Sequence, residues 1–156
     1  ATLFHWSPQV MYRWRVFLLR IFGAKIGKNV VIRPSVKITY PWKLTLGDYA
    51  WVGDDAVLYT LGNITIGAHT VISQKSYLCT GSHDYASQHF DISATPIVIG
   101  EKCWLATDVF VAPGVTIGDG TVVGARSSVF KSLPANAICR GNPAVVTRKR
   151  VENVTP

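Results

Sequence analysis

Four histidines, three cysteines and nine acidic residues are the groups from which this chain could build acid–base, nucleophilic or metal chemistry. His83 is set apart by its context. It closes the segment C-T-G-S-H-D, where Gly81 permits a close backbone approach and Asp84 is adjacent. Imidazole ordinarily titrates near pH ~6.5, so it can take the proton of a weakly nucleophilic hydroxyl at neutral pH. The same context also fits an exposed histidine with no task, and the residues alone leave that choice open. His5 lies in the N-terminal tail and His69 at a repeat corner, and both read as solvated side chains. His89 lies in the loop after His83, where it could contact a substrate or, as most loop histidines do, have no task. Asp54 and Asp55, in V-G-D-D-A-V, offer carboxylates that accept hydrogen bonds from hydroxyls, or serve as corner residues.

Cys79, Cys103 and Cys139 show neither C-x-x-C spacing nor a zinc pattern, which suits a reducing, cytoplasmic setting. Cys79 precedes His83 by four residues, roughly 13 Å along an extended strand. A covalent intermediate at Cys79 stays open beside direct transfer on these residues alone.

The element that must position these groups is a six-residue repeat. From Ile26 the hexads read IGKNVV, IRPSVK and ITYPWK; from Leu46, LGDYAW, VGDDAV and LYTLGN; from Ile66, IGAHTV, ISQKSY and LCTGSH. From Ile99 they resume as IGEKCW, LATDVF, VAPGVT, IGDGTV, VGARSS and VFKSLP. All fifteen open with Ile, Leu or Val. A period of six fits neither a helix at 3.6 nor a plain strand at 2.0, but it fits a solenoid with three short flat faces per turn. The aliphatic at position one then points inward, and coils opening at Ile26, Leu46, Ile66, Ile99 and Ile117 stack about 4.8 Å apart. The expected fold is all-β, a parallel β-helix of about five coils over 26–140. Residues 84–98 form an extended loop after the third coil, 1–25 a tail and capping helix, and 141–156 a C-terminal tail.

Solenoid ends need caps. Ser7 and Pro8 read as N-cap and first helical residue of a helix over 8–22. Val10, Trp14, Phe17, Leu18 and Ile21 share one face, expected to cover the first coil, with Val16 and Leu19 on the other side. Trp6, Trp14 and the arginines also suit a peripheral contact with a membrane surface. Arg13, Arg15 and Arg20 interrupt the only long apolar stretch, so no membrane span is expected, and ATLFHWSP lacks the layout of a signal peptide. The net charge of +7 suits an anionic partner, and Arg126, Lys131, Arg140, Arg148, Lys149 and Arg150 could meet phosphate or form a solvated tail.

The hexads, the loop after T-G-S-H-D, the Trp104 hexad, the stretch V-A-P-G-V-T-I-G-D-G-T-V-V-G-A and the closing R-G-N-P-A together resemble the hexapeptide-repeat acyltransferases. The likeness spans roughly residues 26 to 148. It is closest to galactoside, maltose and nodulation-type sugar O-acetyltransferases, and closer still, through F-L-L-R-I-F-G-A-K-I-G and I-S-Q-K-S-Y-L-C-T-G-S-H-D, to exopolysaccharide and colanic acid acetyltransferases. The resemblance implies a left-handed coil, an acetyl-coenzyme A donor, a sugar acceptor, no required metal and a homotrimer with sites between neighbouring prisms. It places His83 at the catalytic histidine, Asp54 at an acceptor-contacting position with Asp55 as rival, and Trp104 at the border of the active-site tunnel. Thr107 and Ala125 match positions lining the pantetheine arm, and Lys131 and Arg148 match basic residues near the coenzyme A phosphates. Arg126 stands where a glycine is common and Phe130 where a threonine is common.

Two other classes use such a scaffold. A γ-type carbonic anhydrase needs three metal-binding histidines; His69, His83 and His89 are present but do not match that spacing. A noncatalytic solenoid would not need T-G-S-H-D, Trp104 and R-G-N-P together. The aromatics are not paired with basic residues in a nucleic-acid motif, so no nucleic-acid partner is expected.

Overall fold

The inward-pointing aliphatics of the hexads stack into three parallel sheets that form the faces of a triangular prism. This computed structural model describes residues 7, 8 and 10–151; His5 and Trp6 lie outside them. Face A pairs Lys25–Ile26, Leu44–Leu46, Ile64–Ile66, Ile97–Ile99 and Thr116–Ile117 in that order. Its register aligns Ile26, Leu46, Ile66, Ile99 and Ile117, the five expected coil openings. Face B stacks Val31–Ile32, Trp51–Val52, Val71–Ile72, Trp104–Leu105, Val122–Val123 and Ala137–Gly141. Face C stacks Lys37–Ile38, Val57–Tyr59, Tyr77–Cys79, Phe110–Val111 and Ser128–Val129. Five full coils are thus followed by a partial sixth, entered through a parallel bridge from Ile117 to Leu133.

The interior is a fully buried column of Ile32, Val52, Ile72, Leu105 and Val123 on face B with matching columns on the other faces, where only the first-coil residues Ile26 and Ile38 keep some exposure. Each such side chain contributes about 1.5–3 kcal/mol. The glycines at position two allow the coils to approach. A Cβ on Gly47 or Gly67 would sit 2.4 or 2.5 Å from the backbone of the next coil.

Each coil donates its N–H groups to carbonyls of the next, as Gly27 does to Leu46 and Arg33 to Val52. The first coil therefore presents carbonyls with no preceding coil to satisfy them, and the capping helix α1, Tyr12–Ile21, supplies the donors. Arg15 Nε donates to the Ile32 carbonyl at 2.7 Å, and Arg20 Nη2 to the Ile26 carbonyl at 2.7 Å. This requirement corrects the expected cap. Arg15, Val16 and Leu19 face the coil, while Val10, Phe17 and Ile21 are exposed. An apolar covering face would have left the edge carbonyls unpaired, at about 1–3 kcal/mol each. The helix also starts at Tyr12 rather than Pro8, with Met11 and not Ser7 at the N-cap, and Arg15 Nη1 donates to Ser7 Oγ at 2.8 Å and to the Pro8 carbonyl at 2.9 Å. Among the described residues no helix is long and apolar enough to cross a membrane.

At the other end, residues 144–149 are a strand rather than a tail. Ala144–Lys149 folds back antiparallel on Ala137–Gly141, and Asn142 and Pro143 make the turn between them. The return strand covers the edge that a further coil would have occupied. The excursion after the third coil also begins earlier than the hexad count suggests, at Gly81, and the chain is back in face A at Ile97.

Candidate active site

Two edges of the prism carry the candidate residues. Between faces B and C, four successive coils turn through a corner whose second residue has positive φ: Asp55, Lys75, Asp108 and Arg126, at 57° to 61°. The residues just before them, Asp54, Gln74, Thr107 and Ala125, therefore stack coil upon coil, and Gly141 of the closing turn continues the line. Thr107 and Ala125 lie on neighbouring coils, where the Arg126 N–H donates to the Thr107 carbonyl at 2.9 Å. Arg126 occupies the left-handed region that favours glycine, which explains the residue the family prefers there. Its guanidinium lies 3.8 Å from the Asp108 carboxylate, a solvent-exposed pair.

Asp54 is already engaged. Its Oδ2 accepts from Arg33 Nε at 3.0 Å and its Oδ1 from Ser35 Oγ at 3.3 Å, and this carboxylate raises the Arg33 guanidinium above its ordinary value. The Asp55 backbone N–H donates to the same Ser35 hydroxyl at 2.9 Å, so Asp55 serves the corner while its side chain faces solvent.

The edge between faces C and A is interrupted. In place of a corner, the third coil throws out an antiparallel hairpin in which Gly81–His83 pairs with Ile92–Ala94. Thr80 fixes its base: its hydroxyl donates to the Tyr59 carbonyl at 2.6 Å, and its carbonyl accepts from the Thr95 N–H at 2.9 Å. Gly81 leaves no room for a side chain, because a Cβ would lie 2.8 Å from the Tyr59 ring. His83 is exposed, and its Nδ1 lies 2.6 Å from the Phe90 carbonyl oxygen. A carbonyl can only accept, so Nδ1 carries a proton, and in the neutral imidazole Nε2 is the nitrogen with a lone pair for another group's proton. Asp84 braces the turn: its Oδ1 accepts from the Ala86 N–H at 2.9 Å. His89 is exposed on the same hairpin. Lys131 lies on this edge two coils further on, exposed.

Trp104 projects from face B between Val71 and Val122, about half exposed, with Nε1 donating to Ser73 Oγ at 3.0 Å. Arg148 sits on the closing strand of that face, opposite Ile138. In a triangular section the hairpin edge lies opposite face B. One chain therefore brings Thr107, Ala125 and Trp104 to one side, with Arg148 on the same face, and keeps His83 and Lys131 on the other.

Sequence reasoning missed face C, which lies between these two edges. Tyr59, Tyr77, Phe110 and Phe130 form an outward zigzag with ring centroids 5.8 to 6.5 Å apart. Beside it a shallow cavity of about 390 Å³ is lined by Lys75, Tyr77, Cys79, Asp108, Val109 and Phe110. The signal was present, since these aromatics occupy outward positions of their hexads. Burial pushes the Cys103 and Cys139 thiols up, which suits neither to nucleophilic attack. His69 stacks on Tyr49 at 4.8 Å, and among the described residues no three His, Cys, Asp or Glu side chains gather as a metal group.

The model of the bacterial transferase hexapeptide (six repeats) matches residues 96–131. A protein of Escherichia coli (strain K12) named "Putative colanic acid biosynthesis acetyltransferase WcaF" is 90% identical over 152 residues, 97% of this chain and 84% of that protein. A maltose O-acetyltransferase from Clostridium difficile 630 superposes with a TM-score of 0.89 at 26% identity, over 97% of this chain and 82% of the other. A hexapeptide-repeat acetyltransferase of Vibrio cholerae O1 biovar eltor, in complex with acetyl-coenzyme A, gives a TM-score of 0.85 at 27% identity, over 90% and 78%. The coil shares the left hand of these neighbours.

Proposed function

Because the chain belongs to the hexapeptide-repeat acetyltransferases and uses acetyl-coenzyme A, we propose that it acetylates a sugar hydroxyl by direct transfer, with His83 as general base. The observation that carries this reading is the bond from His83 Nδ1 to the Phe90 carbonyl, which turns a basic Nε2 outward from a braced hairpin. Nε2 takes the hydroxyl proton as the sugar oxygen attacks the thioester carbonyl. The tetrahedral oxyanion collapses to the acetyl ester and coenzyme A thiolate, and the imidazolium returns its proton to the thiolate. A sugar acceptor is supported by the maltose O-acetyltransferase likeness, and a cell-surface polysaccharide by the name of the 90% identical relative. A coenzyme A thioester as donor suits a cytoplasmic reaction.

Thr107 and Ala125 line the pantetheine arm, Lys131 and Arg148 meet the coenzyme A phosphates, and Trp104 borders the acceptor. Asp54 acts by holding Arg33 at the corner, and Asp55 is the more exposed carboxylate for an acceptor hydroxyl. The site is completed by a neighbouring copy in a cyclic homotrimer. Supporting this is the separation of His83 from Trp104 within one chain, together with the aromatics that face C leaves exposed between them.

The test is thiol release from acetyl-coenzyme A against a panel of sugar acceptors, with the His83→Ala variant alongside. Acceptor-dependent release by the wild type and its loss in a folded variant are expected. Full turnover by the variant would remove His83 from the mechanism.

A further inference from the structure

Both ends of the prism are basic. Residues 120–151 carry six Lys and Arg side chains and no acid, the coils between hold eight of the nine acids, and the helix end, residues 1–47, contains eight of the sixteen Lys and Arg side chains and no acid. Arg15 is buried against the Ile32 carbonyl and Arg33 is paired with Asp54, but Arg13, Lys25, Lys28 and Lys37 are exposed at that end.

The same end carries the apolar face that the cap turned outward. Phe17 is 53% exposed, Ile21 62% and Phe22 61%, and Trp14 stacks on Phe17 with centroids 5.8 Å apart. Trp42, 59% exposed, adjoins the helix end; a Cβ on Gly23 would lie 3.0 Å from the Trp42 Cβ. Large aromatics and an aliphatic thus stand on one end surface, with cations around them and no acid on the helix.

We propose that this end docks onto the surface of an anionic lipid bilayer. Trp14, Phe17, Ile21, Phe22 and Trp42 enter the headgroup boundary, and Arg13, Lys25 and Lys28 meet the lipid phosphates. An interfacial helix needs this combination of an apolar face and basic flanks. Charge decides between occupants. A second copy of the same end would bring two clusters of cations together, whereas an anionic surface neutralises them. Docking is independent of the acceptor's identity and of the role of His83. Its consequence is that acceptors held at a membrane surface are met by the helix end of the prism.

The experiment is sedimentation with vesicles of phosphatidylglycerol and phosphatidylethanolamine, and with vesicles of phosphatidylcholine alone. The wild type, a Phe17→Ser/Ile21→Ser double variant and an Arg13→Glu/Lys28→Glu double variant are compared, with oligomeric state and acetyl transfer to a soluble sugar measured for each. The wild type is expected to bind the anionic vesicles and not the neutral ones. Each double variant should lose at least about tenfold in partitioning, with assembly and soluble activity unchanged. Failure of the wild type to bind, equal binding by the serine variant, or a change of oligomeric state in that variant would each overturn the proposal. The last result would assign the face to contact between copies of the chain.

Discussion

The two edges that bound face C are made from the same hexads and do opposite things. Between faces B and C the corner repeats without interruption, so Asp54, Thr107 and Ala125 fall on a line set by coil spacing. Between faces C and A the third coil breaks the repeat with a hairpin, and that break holds His83. A repeat makes a ladder of equivalent positions suited to gripping an elongated ligand. Its single interruption makes a position unlike all others, where one side chain can be given its own orientation and partner.

The largest loss of activity is expected at the interruption. His83→Ala should lower kcat by about 10²-fold to 10⁴-fold, the usual range for a general base, with an unchanged melting temperature because the side chain is exposed. Steady-state kinetics beside a thermal melt separates the two effects. The regular interior should respond in the opposite sense: Leu105→Ala, fully buried on face B, should cost about 2–5 kcal/mol in denaturant unfolding.

Between these extremes lies the junction. Thr80→Val keeps the shape but removes the hydroxyl that donates to Tyr59 and accepts from the Gly62 N–H at 2.8 Å. It should cost about 1–3 kcal/mol and also lower turnover, since the hairpin is rooted there. A loss of stability with full turnover would separate the hairpin from the chemistry.

The smallest expected effect belongs to the buried thiols. Burial holds Cys103 neutral in the folded protein, while an unfolded cysteine ionises from about pH 8.5. Its contribution is present below that pH and is lost as pH rises toward the higher folded value. The melting temperature should fall above about pH 9, and less steeply in Cys103→Ala.

How much of this was legible follows from what a repeat can encode. Ile26, Leu46, Ile66, Ile99 and Ile117 announce their register because each faces the same environment, and the structure aligns all five. The helix face was misread for the converse reason. Periodicity shows which side of α1 is apolar, but the surface it must cover is a row of carbonyls, and Arg15 and Arg20 were needed there. The strand Ala144–Lys149 escaped notice because it pairs antiparallel, outside the hexad rule. His83 was visible by its motif, whereas its bond to Phe90 crosses the hairpin and depends on a fold-back that no spacing specifies. The ion pair of Asp54 with Arg33 likewise joins neighbouring coils, 21 residues apart in sequence.

The proposed site forms only where the two edges meet across copies of the chain. Subunit mixing tests it directly: His83→Ala and Trp104→Ala proteins, each expected to lose activity, are unfolded together, refolded and assayed for acetyl transfer. A shared site predicts recovery, at roughly a quarter of the wild-type sites for random reassortment in a cyclic assembly. No recovery from a mixture that has demonstrably exchanged subunits would contradict it.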